Sequence, residues 1–270
     1  MRICLVAVGQ SVPGFNEILF DVIKKGSMKA LRPDTEVVMR PLEVGLADPN
    51  DFVNHYYSFL NSTSIVETII QAEREGFDAA VLGCFGDTGV EQARAAVDIP
   101  VIGPAESTMM LACQMGRRFG IVCANLPGLP ADHWEQVRYH GLAERLIPNG
   151  IRPDIHAFAD TWSKSFADPK FAADGVAERA REMVSNGADV VIIGCCGIGP
   201  FCSQAGLHSI QVGNRNIPIL DAQLVALKAA EMAVDLKHNA GMPFTSLPHP
   251  SKEDFGRVRD RFGLPRYNKG

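Results

Sequence analysis

The sequence predicts an α/β fold built from two similar halves, each containing a parallel sheet. Short apolar runs alternate with longer segments of helical period, which is typical of parallel α/β units. The run Val190-Val191-Ile192-Ile193 is continuously apolar, as a strand covered on both faces requires. The chain also repeats itself, so we expect two halves related by a pseudo-two-fold axis with the active site in the cleft between them.

The order of the elements follows from the apolar pattern. Predicted strands cover residues 2–8, 36–40, 79–83, 101–102, 119–123, 190–194 and 218–220. Predicted helices cover residues 16–30, 52–75, 90–96, 107–115, 132–141, 171–186 and 222–238. In the segment 52–75, apolar side chains recur at three- and four-residue spacing and give the helix one apolar face. A further short helix is predicted over 251–262, with Ser251 as its N-cap.

Two stretches of the chain, 111 positions apart, share one pattern of residues. Residues 76–86 and 187–197 each contain a glycine, an aspartate two positions later, four apolar residues and then Gly-Cys-x-Gly. Downstream, residues 98–102 correspond to 216–220, and an alanine-rich segment follows each of them. Agreement over several aligned elements indicates two related halves.

The two halves are predicted to meet near residue 116. The first half comprises residues 1–116 and the second half residues 117–220. Because the segment 222–238 has no neighbour of its own, we expect part of the C-terminal region, about 221–270, to pack back on the first half. The tail after Gly241 contains Pro243, Pro248, Pro250 and Pro265 and is expected to run along the surface.

Composition and charge exclude several classes of protein and of partner. Hydrophobic residues make up 46% and charged residues 21% of the 270 residues, which argues against disorder and against a coiled coil. No apolar run reaches the roughly 18 to 20 residues of a membrane span, and the N-terminus lacks a small-residue cleavage site. The net charge of −5 makes nucleic acid and anionic membranes poor partners. We therefore expect a cytoplasmic protein with a small-molecule substrate and no nucleic-acid or membrane partner.

The cysteines are the candidate reactive groups. There are seven of them, and an odd number argues against a disulfide framework. No Cys-x-x-Cys pair is present and no histidine lies at ligand spacing from a cysteine, so no metal site is expected. Cys84 and Cys195 each follow a predicted strand and precede a turn into a helix, which places both thiols at the carboxyl edges of the sheets. If the halves face one another, the two sulfurs point into one cleft from opposite sides.

Two thiols facing one small molecule suit inversion at carbon. A thiolate on one face removes a proton, and a thiol on the other face returns one. A lone cysteine at a strand end is as often core filler as a reagent, but the repeated position of Cys84 and Cys195 favours the reactive role. A free thiol has a pKa of about 8.5, and a helix amino end favours the thiolate by up to about 2 kcal/mol. The sequence therefore predicts that one thiolate is held near neutral pH without a metal.

The loops around the strand ends supply candidates for substrate contact. Side chains after the first strand can bond an amide or carboxylate, and backbone N–H groups in the turns after the cysteines can bind an oxyanion. The predicted substrate-binding residues are Gln10, Ser11, Phe85, Gly86, Asp87, Cys123, Cys196 and Gly197. Asp87 has a competing role as a helix cap. No Walker-type or dinucleotide-binding motif is present, so no cofactor is expected.

The motifs around both cysteines resemble those of the aspartate/glutamate/hydantoin racemase superfamily. The quoted stretches are Gly83-Cys84-Phe85-Gly86-Asp87-Thr88-Gly89, Ile99-Pro100-Val101-Ile102-Gly103-Pro104-Ala105-Glu106 and Gly194-Cys195-Cys196-Gly197. They are most similar to the hydantoin and allantoin racemases, whose motifs read Cys-Phe-Gly-Asp-Pro-Gly and Gly-Cys-Ala-Gly. The resemblance extends to about His238 and implies cofactor-independent proton transfer with Cys84 and Cys195 as the acid–base pair. It also implies a homo-oligomer.

The chain departs from that family at the loop after the first strand. Members often have Asn-Pro-Asn-Thr there, whereas this chain has Ala7-Val8-Gly9-Gln10. The predicted function is racemisation or epimerisation of a small carbon acid, such as a hydantoin, allantoin, a related ureide or an amino-acid derivative. Two alternatives stay open: a single-thiolate cis–trans isomerase of the maleate isomerase type, and a non-catalytic ligand-binding protein on the same scaffold. An arylmalonate decarboxylase keeps only one cysteine of the pair, so the presence of both argues against it.

Overall fold

The computed structural model describes residues 1–245 and 247–264, and its first sheet is entirely parallel. The strands of this sheet are β1 (Arg2–Gly9), β2 (Glu36–Leu46), β3 (Ala79–Leu82) and β4 (Val101–Ile102). Their spatial order is β2-β1-β3-β4, so β1 and β3 are the central strands. Residues 3–6 and 79–82 are fully or almost fully buried, as their apolar composition predicts.

The second sheet repeats this order and adds one edge strand. Its strands are β5 (Phe119–Cys123), β6 (Leu146–Pro153), β7 (Val190–Gly194), β8 (Ser209–Val212) and β9 (Arg215–Asp221). The order is β6-β5-β7-β9-β8, in which only β8 runs antiparallel to its neighbour. The prediction of an α/β fold with two parallel sheets is confirmed.

Helices cover the sheets. They are α1 (Phe15–Lys25), α2 (His55–Arg74), α3 (Val90–Arg94), α4 (Pro104–Met115), α5 (Leu129–Tyr139), α6 (Phe158–Ser165), α7 (Lys170–Ser185), α8 (Gly199–Gln204), α9 (Ala222–Ala240) and α10 (Lys252–Arg261). The described helices include none that is both long enough and apolar enough to cross a membrane.

Several predicted helix boundaries differ from the observed ones by three residues or more, and two of these differences have clear local reasons. The first helix ends at Lys25 rather than residue 30, since the chain turns at Gly26, where a Cβ atom would lie 2.1 Å from the carbonyl oxygen of Pro200. The second begins at His55 rather than residue 52, because the Asn54 side chain accepts hydrogen bonds from the N–H groups of the first helical residues.

The C-terminal region contacts the first sheet. In one buried cluster, Leu227 and Ala230 of α9 pack with Leu5 of β1 and Val81 of β3. The predicted cap of α10 is confirmed, because Ser251 Oγ accepts a hydrogen bond from the Asp254 N–H. The predicted division of the chain at residues 116 and 220 stays a prediction, and the part of the predicted tail at 246 and 265–270 lies outside the described residues.

Candidate active site

A cavity of about 740 Å³ lies at the carboxyl ends of strands from both sheets. Its wall includes Gln10 after β1, Cys84 after β3, Ala124 after β5, Cys195 after β7 and Gln223 after β9. Ligands of parallel α/β sheets bind at this edge. The repeat thus gives one cavity two equivalent strand ends, each with a thiol.

The two thiols are half-buried and interact electrostatically. The backbone N–H of Gly86 donates a hydrogen bond to Cys84 Sγ, 3.4 Å away. The N–H groups of Gly197 and Ile198 favour the thiolate of Cys195, while a charge on Cys195 raises the pKa of Cys84. A thiolate at one position therefore favours a neutral thiol at the other.

Burial outweighs these backbone contacts. It raises the pKa of Cys84 to about 11, and it raises the pKa of Cys195 as well. The prediction of a lowered thiol pKa was therefore wrong. The helices that follow the cysteines, α3 and α8, have only five and six residues, and α3 begins at Val90, well beyond Cys84. Their amino ends contribute little to offset the lost hydration.

Most predicted substrate-binding residues lie at the cavity wall. The wall includes Gln10, Phe85, Gly86, Cys196 and Gly197. Gln10 is exposed, whereas Phe85 and Cys196 are buried at 2% and 4% exposure and pack into one cluster. Trp162 covers Gly197, where a Cβ atom would lie 2.6 Å from the indole ring.

Three predicted contact residues lie outside the wall. The half-buried Asp87 carboxylate accepts the N–H groups of Ala105 at 3.0 Å and Glu106 at 2.9 Å, and so caps α4 rather than facing the cavity. Cys123 is fully buried at the end of β5, and this burial raises its pKa to about 12. Ser11 is exposed, and its N–H donates to the carbonyl oxygen of Leu42.

His133 is a wall residue that the predicted site did not include. Its ring is buried, lies 4.9 Å from the Phe85 ring and has Nε2 at 2.9 Å from the carbonyl oxygen of Gly194. Burial lowers the pKa of His133 to about 4, so the ring is neutral at physiological pH and Nε2–H is the donor. His133 therefore fixes the backbone immediately before Cys195.

The charged groups of the wall are acidic. Among the described residues that line the cavity there is no lysine or arginine, whereas Asp132 and Glu135 are both present. His55 of α2 contacts Asp132 of α5, with Nε2 at 3.2 Å from Oδ1, and so links the two halves. The remaining wall is strongly aromatic, with Phe15, Phe52, Phe85, Phe158 and Trp162.

Gln223 was also missed from the sequence. It is the second residue of α9 and lies two positions after the end of β9. The rule that located Cys84 and Cys195, a polar or nucleophilic side chain just beyond a parallel strand, points equally to Gln223. The alanine-rich sequence around Gln223 indicates only a packed helix.

Fold and site define a class: a duplicated two-sheet α/β protein in which a thiol from each half faces one cavity. Residues 55–230 match the family described as Asp/Glu/Hydantoin racemase, and the chain belongs to this family. The resemblance in the motifs is thus confirmed, and the chain is an enzyme of the racemase class of isomerases.

Similar proteins cover between 64% and 93% of the chain. The hydantoin racemase of Pseudomonas sp. (strain NS671) is 27% identical over 242 residues, which are 89% of this chain and 90% of that protein. The hydantoin racemase of Paenarthrobacter aurescens is 31% identical over 174 residues, 64% of this chain and 68% of that protein. Among solved structures, the allantoin racemase from Klebsiella pneumoniae has a TM-score of 0.72 at 21% identity and covers 93% of this chain and 94% of its own.

Proposed function

We propose that this racemase inverts the stereocentre of a neutral cyclic ureide, such as a 5-substituted hydantoin, by proton transfer between Cys84 and Cys195. The observation that carries the proposal is the pair of thiols at one cavity whose described wall has no lysine or arginine. The names of the similar hydantoin racemases support the same substrate class.

The charge of the wall favours a ureide over an amino acid. An amino acid brings a carboxylate, and burying a carboxylate without a cationic partner is strongly unfavourable. Asp132 and Glu135 would also repel it. A hydantoin ring is uncharged and bonds through amide groups. The aromatic side chains of the wall, including Phe158 and Trp162, suit an apolar substituent on the ring.

The proposed reaction assigns one thiol to each face of the ring. Cys195, whose thiolate is favoured by the Gly197 and Ile198 N–H groups, takes the proton from the carbon next to the ring carbonyl. The electron pair moves onto that carbonyl oxygen as an enolate. Cys84, which burial and the charge on Cys195 keep protonated, then donates its proton to the opposite face. The roles are reversed for the other enantiomer.

Deuterium exchange tests this assignment. A single enantiomer of 5-benzylhydantoin is incubated with enzyme in D₂O, and NMR and polarimetry follow exchange and racemisation. Cys84→Ser and Cys195→Ser should each lose racemisation by about 10²–10⁴-fold, since inversion needs both groups. Each variant should retain exchange for one enantiomer, with opposite preference in the two.

Cys113→Ala is the matched control, because Cys113 is a half-buried cysteine outside the cavity wall. Its turnover should match that of the natural sequence. Near-normal racemisation in both serine variants would refute the two-thiol reaction. Loss in only one of them would replace it with a single-thiolate isomerisation.

A further inference from the structure

The side-chain amide of Gln223 is buried at the cavity wall without a partner. The residue is 0% exposed, and neither Nε2 nor Oε1 forms a hydrogen bond within residues 1–245 and 247–264. Leaving buried polar atoms unpaired costs about as much as the hydrogen bonds they could form. An apolar side chain of similar size would avoid that cost. Folding stability therefore does not explain why an amide occupies this position.

The backbone of Gln223 is held firmly. Its N–H donates to Asp221 Oδ1 at 2.9 Å, which is the N-cap bond of α9. Asp221 Oδ2 in turn accepts the hydroxyl groups of Ser27 at 2.6 Å and Ser203 at 2.7 Å. The carboxylate thus ties α9 to residues from both halves. The side-chain amide of Gln223, in contrast, has no hydrogen-bond partner among the described residues, so both of its polar atoms are available to a ligand.

A glutamine amide presents a donor beside an acceptor. The complementary edge places an acceptor beside a donor, as N7 and N6–H of adenine do when glutamine binds that base. A cis amide offers the same pair, with its C=O as the acceptor and its N–H as the donor. A cyclic ureide carries such edges on its ring, whereas the ammonium and carboxylate of an amino acid offer none. Within the cavity wall, Gln223 therefore matches the substrate class proposed above.

We propose that Gln223 is a specificity-determining residue that binds the cis-amide edge of the ureide ring, an inference that rests on the proposed function. Nε2–H donates to a ring carbonyl, and Oε1 accepts from the neighbouring ring N–H. The two bonds fix the rotation of the ring in its plane. They thereby set which ring carbon lies between Cys84 and Cys195.

Calorimetric titration tests the contact apart from turnover. Racemic 5-benzylhydantoin is used as the probe, because a racemase produces no net reaction in a 1:1 mixture of enantiomers. Gln223→Met should bind about 10–100-fold more weakly than the natural sequence, the range for two lost hydrogen bonds. Its thermal midpoint should be unchanged or higher, since two unpaired polar atoms have been removed.

Gln204→Met is the matched control. Gln204 also has a buried, unpartnered Oε1, but it lies outside the cavity wall. Its replacement should leave affinity for the hydantoin unchanged. If Gln223→Met fails to fold, the ligand supplies the second arm. N1-methyl and N3-methyl 5-benzylhydantoin each lack one ring N–H. One of them should bind the natural sequence at least about tenfold more weakly than unmethylated 5-benzylhydantoin does.

Equal affinity of Gln223→Met and the natural sequence would overturn the inference, as would no binding of the hydantoin or equal binding of both methylated ligands. Deuterium exchange at the stereocentre, measured on the same samples, reports on the proposed function separately. Binding that depends on Gln223 without any exchange would retain the inference and reject the racemase reaction.

Discussion

At the scale of single residues, the reactivity of the site depends on how far burial raises the pKa of its two thiols. The pKa of Cys84 is raised to about 11 by loss of hydration, so its thiolate is scarce at neutral pH in the absence of substrate. A thiol with a higher pKa forms less thiolate at a given pH, but the thiolate that it forms is a stronger base. Such a thiol reacts slowly with alkylating agents, while its thiolate is basic enough to remove a proton from carbon.

Alkylation kinetics check this property. The rate at which iodoacetamide modifies Cys84 should rise about tenfold per pH unit from pH 7 to pH 10 without a plateau, because only the thiolate reacts. At pH 7 it should be at least about tenfold slower than for free cysteine, whose pKa is about 8.5. Peptide mass spectrometry resolves the site. A plateau below pH 9 would show that the thiol is ionised far more readily than its burial implies.

His133 makes a different prediction, for stability. Its pKa is about 4 in the folded protein and about 6.5 when unfolded, so folding favours the neutral ring. The resulting stabilisation is present above pH 6.5 and is lost as the pH falls toward 4, by up to about 3 kcal/mol. Urea unfolding of the natural sequence and of His133→Gln, which cannot titrate, should show this difference between pH 7 and pH 4.

The half-buried carboxyl group of Asp87, whose pKa burial raises to about 7, acts in the opposite direction over the same range. It is present in both proteins, so it cancels in the comparison. Parallel stability curves for His133→Gln and the natural sequence would contradict the neutral, buried imidazole.

Residue roles were predictable where the repeat marked them. Cys84 and Cys195 occupy the same position in two copies, which a single sequence displays. Gln223 and His133 have no repeated partner, and their roles depend on which helix faces the cavity. Asp87 was predicted beside the substrate, but its left-handed backbone, with φ of 49°, directs the carboxylate to the start of α4.

At the scale of elements, the start of α9 joins the two halves. Asp221 ends β9, caps α9 and accepts hydroxyl groups from Ser27 and Ser203. Burial raises the pKa of this carboxyl group, and hydrogen bonds from the two hydroxyl groups and from the backbone N–H groups of Gln223 and Leu224 oppose the shift. The carboxyl group is therefore a structural acceptor, and its removal leaves the two buried hydroxyl groups without a hydrogen-bond acceptor.

Asp221→Ala should lower the free energy of unfolding by about 2–4 kcal/mol, because a cap and two buried hydroxyl partners are lost together. Ser203→Ala, which removes one of these bonds, should cost only about 1 kcal/mol. Equilibrium urea denaturation followed by circular dichroism measures both. Equal losses in the two variants would show that the aspartate does not join the network as described.

Elements were predictable where apolar residues were dense and central. Strands β3, β5 and β7 match their predicted positions closely, because buried strands of a parallel sheet are apolar throughout. Strands β6 and β8 were missed. β6 reads Leu-Ile-Pro-Asn-Gly-Ile-Arg-Pro and contains Asn149 with φ of 51°, and β8 alternates exposed and buried residues; both lie at edges of the sheet. Edge strands lack the continuous apolar signal that marks the centre.

At the scale of the whole molecule, the two halves share a core. One buried cluster combines Phe85 and Met109 from the first half with Ile121, Val190 and Leu220 of the second sheet. The duplicated order of strands was predictable from the repeat. The shared cluster was not, because contacts between halves depend on side chains that the repeat does not align. The cavity therefore has wall residues from both halves, and these halves pack against each other through one buried cluster.

The composition of that cavity also governs how the substrate arrives. A wall without described lysine or arginine, with Asp132 and Glu135 among its residues, exerts no attraction on an anion and gives a neutral ring no electrostatic guidance. The rate at which the ligand binds then depends on diffusion without electrostatic steering and on the desolvation of apolar surfaces. We expect kcat/KM for 5-benzylhydantoin to change less than about twofold between 0.01 M and 1 M NaCl, a range over which the screening length falls from about 30 Å to about 3 Å. A steep decline with salt would instead reveal that a charged form of the ligand is the one captured.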